Sequence, residues 1–331
     1  MTNIIQSNVS VVVLCYGDRL ECLIKTLDSI ENNNPGRIIL VGNAVSLRVR
    51  DEIERRTATF NGKYSIVFST INVGSAGGYA IGIESALNFT ECDLLWLLDD
   101  DNCPNEETLD TLLECWHNNS SDPNTAVATR RKTLLEHEDP LDGWVGGLPI
   151  NGTCIGFHIL NLISLRIIKD NNSPTCLPWS VYGGLLIPTL LVRQIGLPRS
   201  DFFLYGDDLE WTRRIIISGG RIIPCPDAEI VDLFPSWNMT GSKGSNLRRR
   251  ISDLEAFRVY YEVRNRTWIA RHYFPGNRIV YFLNRSAYLL TSWIVAIRYN
   301  RFKRFCLIKR AILDGEMDQL GKMPENYFYG K

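Results

Sequence analysis

An excess of charge of either sign is missing from this chain: 36 Lys and Arg against 37 Asp and Glu leave a formal net charge of -1 over 331 residues. Binding a nucleic-acid backbone needs a basic footprint, so that class of partner is excluded and any phosphate chemistry has to be local. Cysteine pairing is missing too. The nine cysteines form no CxxC pairs and no recurring spacing, and Cys15, Cys154 and Cys306 sit inside apolar runs, where a thiol packs as a small hydrophobe. A disulfide framework is not expected, and reduced thiols point to the cytoplasm. The first residues carry neither the basic stretch nor the long apolar run of a secretory signal. The four histidines occupy no motif and are expected to be structural.

What is there reads as a folded α/β protein. A hydrophobic share of 45% over this length supports one large core or two modest ones. Val9 to Cys15 is a short, β-branched apolar run of the kind found in parallel strands covered on both faces. Similar runs follow at Arg37–Val41, Tyr64–Ser69, Asp93–Leu98 and Thr125–Thr129. Between them Leu20–Glu31, Leu47–Thr57, Ala76–Phe89 and Asn105–Trp116 have helical length and spacing. This alternation predicts a doubly wound, mostly parallel sheet whose ligands bind beyond the carboxyl ends of its strands. A looser, Gly-rich stretch from Glu136 to Pro178 is expected to face an acceptor. A helix is predicted over Asp207–Ser218, ended by Gly219-Gly220.

The fourth apolar run empties into Asp99-Asp100-Asp101. Consecutive like charges at a strand end are costly unless a cation neutralises them. Alternate residues of an extended chain point the same way, so Asp99 and Asp101 can address one Mg²⁺ or Mn²⁺ while Asp100 faces a ribose or sugar. A solvated acidic turn is the plainer alternative. Asn72-Val-Gly-Ser-Ala-Gly-Gly follows the third run and opens a helix, where Gly74, Gly77 and Gly78 admit either close approach of a phosphate or merely a tight turn. It is neither GxGxxG nor a P-loop. Downstream, Asp207 and Asp208 start a helix, with Glu210 and Arg213 or Arg214 following, as a positioned general base and its orienting shell would. Asp208 is the expected base.

Taken in order, "VVVLCYGDRLECLIKTLDSI", "NVGSAGGYAIGI", "LLWLLDDDNCP" and "IGLPRSDFFLYGDDLEWTRRI" resemble the inverting family 2 glycosyltransferases over roughly the first 240 residues. The triple Asp and the Gly-Leu-Pro to Asp-Asp block look most like bacterial galactofuranosyltransferases, with rhamnosyltransferases close behind. The resemblance implies a GT-A fold and a nucleotide-diphosphate sugar donor, UDP-galactofuranose before dTDP-rhamnose. It further implies a glycan or lipid-linked glycan acceptor in cell-surface polysaccharide synthesis, with Mn²⁺ or Mg²⁺ at Asp99 and Asp101. Tyr16, Asn43, Asn72 and the glycines would lie near the nucleotide. Asn43 stands where the family commonly has an Asp, and Asp232 where it commonly has a metal-binding His. Asp232 is thus a candidate third ligand. A mobile loop over the diphosphate would correspond to Ser236–Asn246, with Lys243 and Trp237 closing on phosphate and sugar. Acceptor contacts are expected from Trp179, Tyr182, Gly183, Gly184, Asp207, Glu210 and Trp237.

Two other classes compete. A non-catalytic sugar-nucleotide-binding partner would have no need of Asp208. A nucleotidyltransferase needs a basic Gly-rich loop after the first strand, where this chain has Cys15-Tyr16-Gly17-Asp18-Arg19. The expected division is a catalytic domain over 1–245, with a nucleotide-sugar half to about 130, and a helical region over 246–331. From Arg278 to Arg310 that region holds eight Lys or Arg and no Asp or Glu, interleaved with aromatics. Asn284 and Arg285 break its longest apolar stretch below the ~20 residues a spanning helix needs. A helical hairpin on an anionic membrane surface and a helical subdomain with a solvated basic face both fit.

Overall fold

The structure, a computed structural model, describes residues 8–59, 62–133, 152–157, 176–234 and 246–329. The chain divides into two compact units, one of Met1–Trp144, Pro174–Ser200 and Asp207–Trp237, the other of Val145–Ser173, Asp201–Gly206 and Asn238–Lys331. A single break near residue 245 is therefore not how it divides: Asp201–Gly206 belongs with the C-terminal helices.

The first unit is built on an eight-stranded sheet: β1 Val9–Tyr16, β2 Arg37–Asn43, β3 Tyr64–Ser69, β4 Leu94–Asp99, β5 Asn102–Pro104, β6 Thr125–Thr133, β7 Leu185–Pro188 and β8 Arg221–Asp232. Their order is β3-β2-β1-β4-β7-β6-β8-β5. β3, β2, β1 and β4 are parallel, as the βαβ alternation predicts, and β6 is parallel to β8. β7 runs antiparallel to β4 and β6, and the three-residue β5 antiparallel to β8. Neither reversal carries a periodic signal, because β5 is too short to show alternation.

Helices α1 Leu20–Asn32, α2 Leu47–Thr59, α3 Gly74–Leu87, α4 Thr108–Asn118, α5 Thr189–Ile195 and α6 Asp207–Ile217 cover both faces. Alternate side chains of a strand point to opposite faces, and β1 is apolar on both. Val9, Val11 and Val13 pack with Leu23 and Leu27 of α1 and Ile53 of α2. Val12 and Leu14 pack with Tyr79 and Ile83 of α3 and with Trp211 of α6. Since β2 and β3 lie to one side of β1 and β4 to the other, the sheet has its topological switch between β1 and β4, and the crevice beyond their carboxyl ends is the place for a ligand.

The second unit contains α7 Asn246–Ser252, α8 Ala256–Tyr273, α9 Arg278–Arg298, α10 Phe302–Glu316 and α11 Asn326–Tyr329 around its own core of Val259, Tyr260, Val263, Ile308 and Ile312. Several of its buried polar groups are paired. Arg250 Nη2 lies 2.7 Å from Glu262 Oε1, and Tyr260 donates to Asp314 at 2.7 Å. Asn265, fully buried, donates through Nδ2 to the carbonyls of Phe202, Leu204 and Tyr205, and Arg264 Nη2 donates to that of Phe202. These bonds hold a stretch of backbone in which Phe203 and Tyr205 both adopt positive φ, 63° and 65°.

Candidate active site

The carboxyl end of β4 carries Asp99, whose Oδ1 accepts from the Tyr79 hydroxyl at 2.8 Å and whose amide donates to Asn102 Oδ1 at 2.9 Å. The chain then turns through Asp100 and Asp101 into β5, with Asp101 Oδ2 2.7 Å from Arg19 Nη2. Asp100, expected to face ribose or sugar, is turned inward and buried. Arg19 Nη1 lies 2.5 Å from its Oδ1, and the Tyr16 amide donates to its Oδ2 at 3.3 Å. Burial raises Asp100 to about 7 against the pull of Arg19. Burial raises Asp99 to about 6, with the Asp101 charge adding and Arg131 and Tyr79 opposing.

Asp232 ends β8 directly beside this cluster, paired in register with Asn102, whose Nδ2 donates to Asp232 Oδ1 at 2.9 Å. Its expected role as a metal ligand meets a competitor: the same Oδ1 receives both Nε and Nη2 of Arg131, at 3.1 and 2.8 Å. Asp232 is thus an ion-pair partner in this structure, and among the described residues no three His, Cys, Asp or Glu converge as metal ligands. A small divalent ion asks for less. Mg²⁺ and Mn²⁺ sites are commonly built from one or two carboxylates plus substrate phosphates. When all are ionised, Asp99, Asp100, Asp101 and Asp232 face Arg19 and Arg131, an excess of the size one divalent cation neutralises. By charge and by oxygen chemistry, Asp99 and Asp101 fit such an ion.

The second carboxylate group stands at the start of α6. Asp207 is buried, its Oδ2 accepts from Ser75 Oγ at 2.8 Å, and burial, with the Asp208 charge adding, pushes it up to about 8. Asp99 also raises it, so the two carboxylate groups lie within electrostatic reach of each other. Asp208 is half-buried. An aromatic bridge links the groups: the Tyr79 and Tyr182 rings lie 4.1 Å apart, and Tyr182 stands 5.7 Å from Trp211 of α6. The Tyr182 hydroxyl and the Trp179 indole N–H are buried with no hydrogen-bond partner among the described residues. Such groups are costly to leave unmade and mark places where an incoming hydroxyl gains a bond.

Several of the expected contact residues also have structural roles. Asn43 is buried and donates to the Gly74 carbonyl at 3.1 Å while accepting from the Val73 amide at 2.9 Å, so it fastens the loop that opens α3. Asn72 Oδ1 accepts from the Gly74 amide at 2.8 Å. Gly77 and Gly78 serve packing: a Cβ at Gly77 would come within 2.8 Å of Val73, and one at Gly78 would overlap Leu14 of β1. Only Gly74 has positive φ, 74°. Glu210 is buried in a two-pronged pair with Arg214, at 2.9 and 2.5 Å. Gly183 lies against the acidic cluster, since a Cβ there would stand 3.2 Å from Asp99 Oδ2, while Gly184 lets the chain pass Thr129. Tyr16 is half exposed at the end of β1. Lys243 and Trp237 lie outside the described residues. Arg19, Ser75, Asn102 and Arg131 are in the site without a sequence signal to announce them.

Residues 10–138 match the sequence profile described as Glycosyl transferase family 2. The chain is similar to galactofuranosyltransferase GlfT1 of Mycolicibacterium smegmatis, 28% identical over 306 residues that span 87% of this chain and 94% of that protein. GlfT1 of Mycobacterium tuberculosis is 29% identical over 164 residues, about half of each chain. Among solved structures, GalNAc-T7 with UDP, GalNAc and Mn²⁺ superposes with a TM-score of 0.54 at 15% identity, over 90% of this chain and 55% of that one. S. aureus TarS 1–349 superposes with a TM-score of 0.50 at 12% identity, over 94% and 92%. At those identities the likeness concerns the fold, which is the expected GT-A arrangement. Residues 10–138 thus match the family 2 glycosyltransferase profile, and the chain is similar along most of its length to a galactofuranosyltransferase.

Proposed function

We propose that this enzyme transfers galactofuranose from UDP-galactofuranose to a saccharide hydroxyl with inversion at the anomeric carbon. The observation that carries the reading is the similarity to GlfT1 along nearly the whole length of both chains, coupled with two carboxylate groups bridged by Tyr79 and Tyr182. Asp208, half-buried beside the buried Asp207, takes the acceptor's proton as the hydroxyl oxygen attacks the anomeric carbon. The bond from that carbon to the β-phosphate oxygen breaks on the opposite face and UDP departs. Mg²⁺ or Mn²⁺ held by Asp99 and Asp101 with the donor's diphosphate would supply charge stabilisation for that departure. The structure of GalNAc-T7 with UDP and Mn²⁺ supports the same use of a metal on this fold. Arg131 keeps Asp232 neutralised, Arg19 does the same for Asp100, and Trp179 and Tyr182 offer the acceptor unspent donors.

The test is UDP release from a panel of nucleotide sugars with an acceptor extract, in Mn²⁺, in Mg²⁺ and in chelator. Release from UDP-galactofuranose that chelator abolishes is expected. Release from dTDP-rhamnose alone would transfer the reading to that sugar, and no release from any donor would favour a binding partner. Asp208→Asn should bind donor normally and lose activity by ~100-fold or more, as loss of a general base does. Asp99→Ala and Asp101→Ala should weaken metal-dependent donor binding in titration calorimetry; unchanged titrations would reject the metal site.

A further inference from the structure

Helix α9 turns the usual pattern of a surface helix inside out. Asn284, Tyr288, Ser292 and Ala296 recur every four residues and form its buried stripe. Asn284 Nδ2 donates to the Gly152 carbonyl at 2.9 Å and Ser292 Oγ to the Tyr288 carbonyl at 2.6 Å, so the inward polar groups are satisfied. At 100° per residue the opposite side carries Ile279, Phe282, Leu290, Trp293, Ile294 and Ile297, each 42–70% exposed. A contiguous apolar face of this kind marks a contact with something apolar.

We infer that the outer face of α9 is a docking surface for the headgroup region of an anionic lipid bilayer. The occupant follows from charge as well as from apolarity. Exposed Arg278 and Arg298 stand at the two ends of the helix, and exposed Arg301 and Lys303 follow it. The acid nearest in the packing, Glu316, is engaged inward by Tyr281 and Arg285. An aromatic and aliphatic face rimmed by cations is what an in-plane interfacial helix presents to acidic headgroups. The helix is 21 residues long, and no helix among the described residues is long and apolar enough to cross a membrane, which leaves lying on the surface as the mode of contact. The inference is independent of the donor assigned above.

Sedimentation of the full chain with vesicles of phosphatidylcholine, with and without phosphatidylglycerol, tests it, with UDP release measured in parallel. The chain is expected to pellet with the phosphatidylglycerol vesicles and far less with phosphatidylcholine alone. Arg298→Glu with Arg301→Glu should lower partitioning by at least about tenfold, since each basic residue near an anionic surface contributes roughly a fivefold factor. Phe282→Ser with Trp293→Ser should abolish pelleting; should that variant fail to fold, the charge reversal decides alone. Wild-type pelleting that neither variant changes would overturn the inference. So would an absence of vesicle binding, including one accompanied by a dimer in sedimentation velocity that the serine variant dissociates, which would make the face a contact between copies of this chain.

Discussion

Asp207 and Asp208 are adjacent in sequence and differ in surroundings, which is what allows one to stay neutral beside the other. Burial raises Asp207 from the ordinary 3.8 to about 8. A carboxyl with a folded-state pKa above its unfolded value binds more protons in the folded chain across that window, so its contribution to stability falls as pH rises from about 4 to about 8. Asp207→Asn should flatten that decline, read as a weaker dependence of thermal midpoint on pH; an unchanged slope would show that Asp207 titrates normally. The carboxylates themselves were legible in the sequence, because acids stacked at a strand end or a helix start have few inexpensive explanations. Their partners were not. Arg131 belongs to a Thr-Arg-Arg-Lys run that reads as a solvated strand end, and its place over Asp232 depends on β6 pairing with β8 across some hundred residues of chain. Ser75 meets Asp207 over a still longer separation.

Among the elements, β1 to β4 and α1 to α4 follow from period and length, since each buries a face that the sequence marks residue by residue. In α3 the glycines have a packing role that period alone does not reveal. They look like a phosphate cradle, yet Gly77, Gly78 and Gly82 face Val73, Leu14 and Val12, and they let the helix approach the sheet closely. Gly78→Ala is accordingly expected to destabilise the chain by about 1–3 kcal/mol through overpacking against Leu14, with KM for the donor unchanged. Urea unfolding and donor kinetics on the same variant separate the roles: a raised KM at unchanged stability would return Gly78 to the nucleotide. β5 escaped notice for a different reason. It is three residues long and runs antiparallel to β8, so pairing rather than pattern defines it.

At the scale of the whole molecule, two cores built on separate residue sets predict unfolding that departs from one cooperative transition. Arg250→Ala removes the nearer of the two arginines paired with buried Glu262 and should cost the second unit about 3 kcal/mol, lowering its calorimetric transition while the transition of the first unit stays in place. A single transition that shifts as a whole would show the units to be one cooperative body. The sequence located a helical C-terminal region, but not that the chain enters the second unit before finally remaining there. That crossing concerns ancestry as much as folding. Asn265 and Arg264 spend their buried donors on the carbonyls of Phe202, Leu204 and Tyr205, a segment encoded well upstream of the helices it completes. A gene fragment for the terminal helices alone would carry those side chains without their acceptors. Such a piece cannot be shuffled between proteins as a ready-made cassette, and it has to be inherited together with the loop that leads into Asp207 and Asp208.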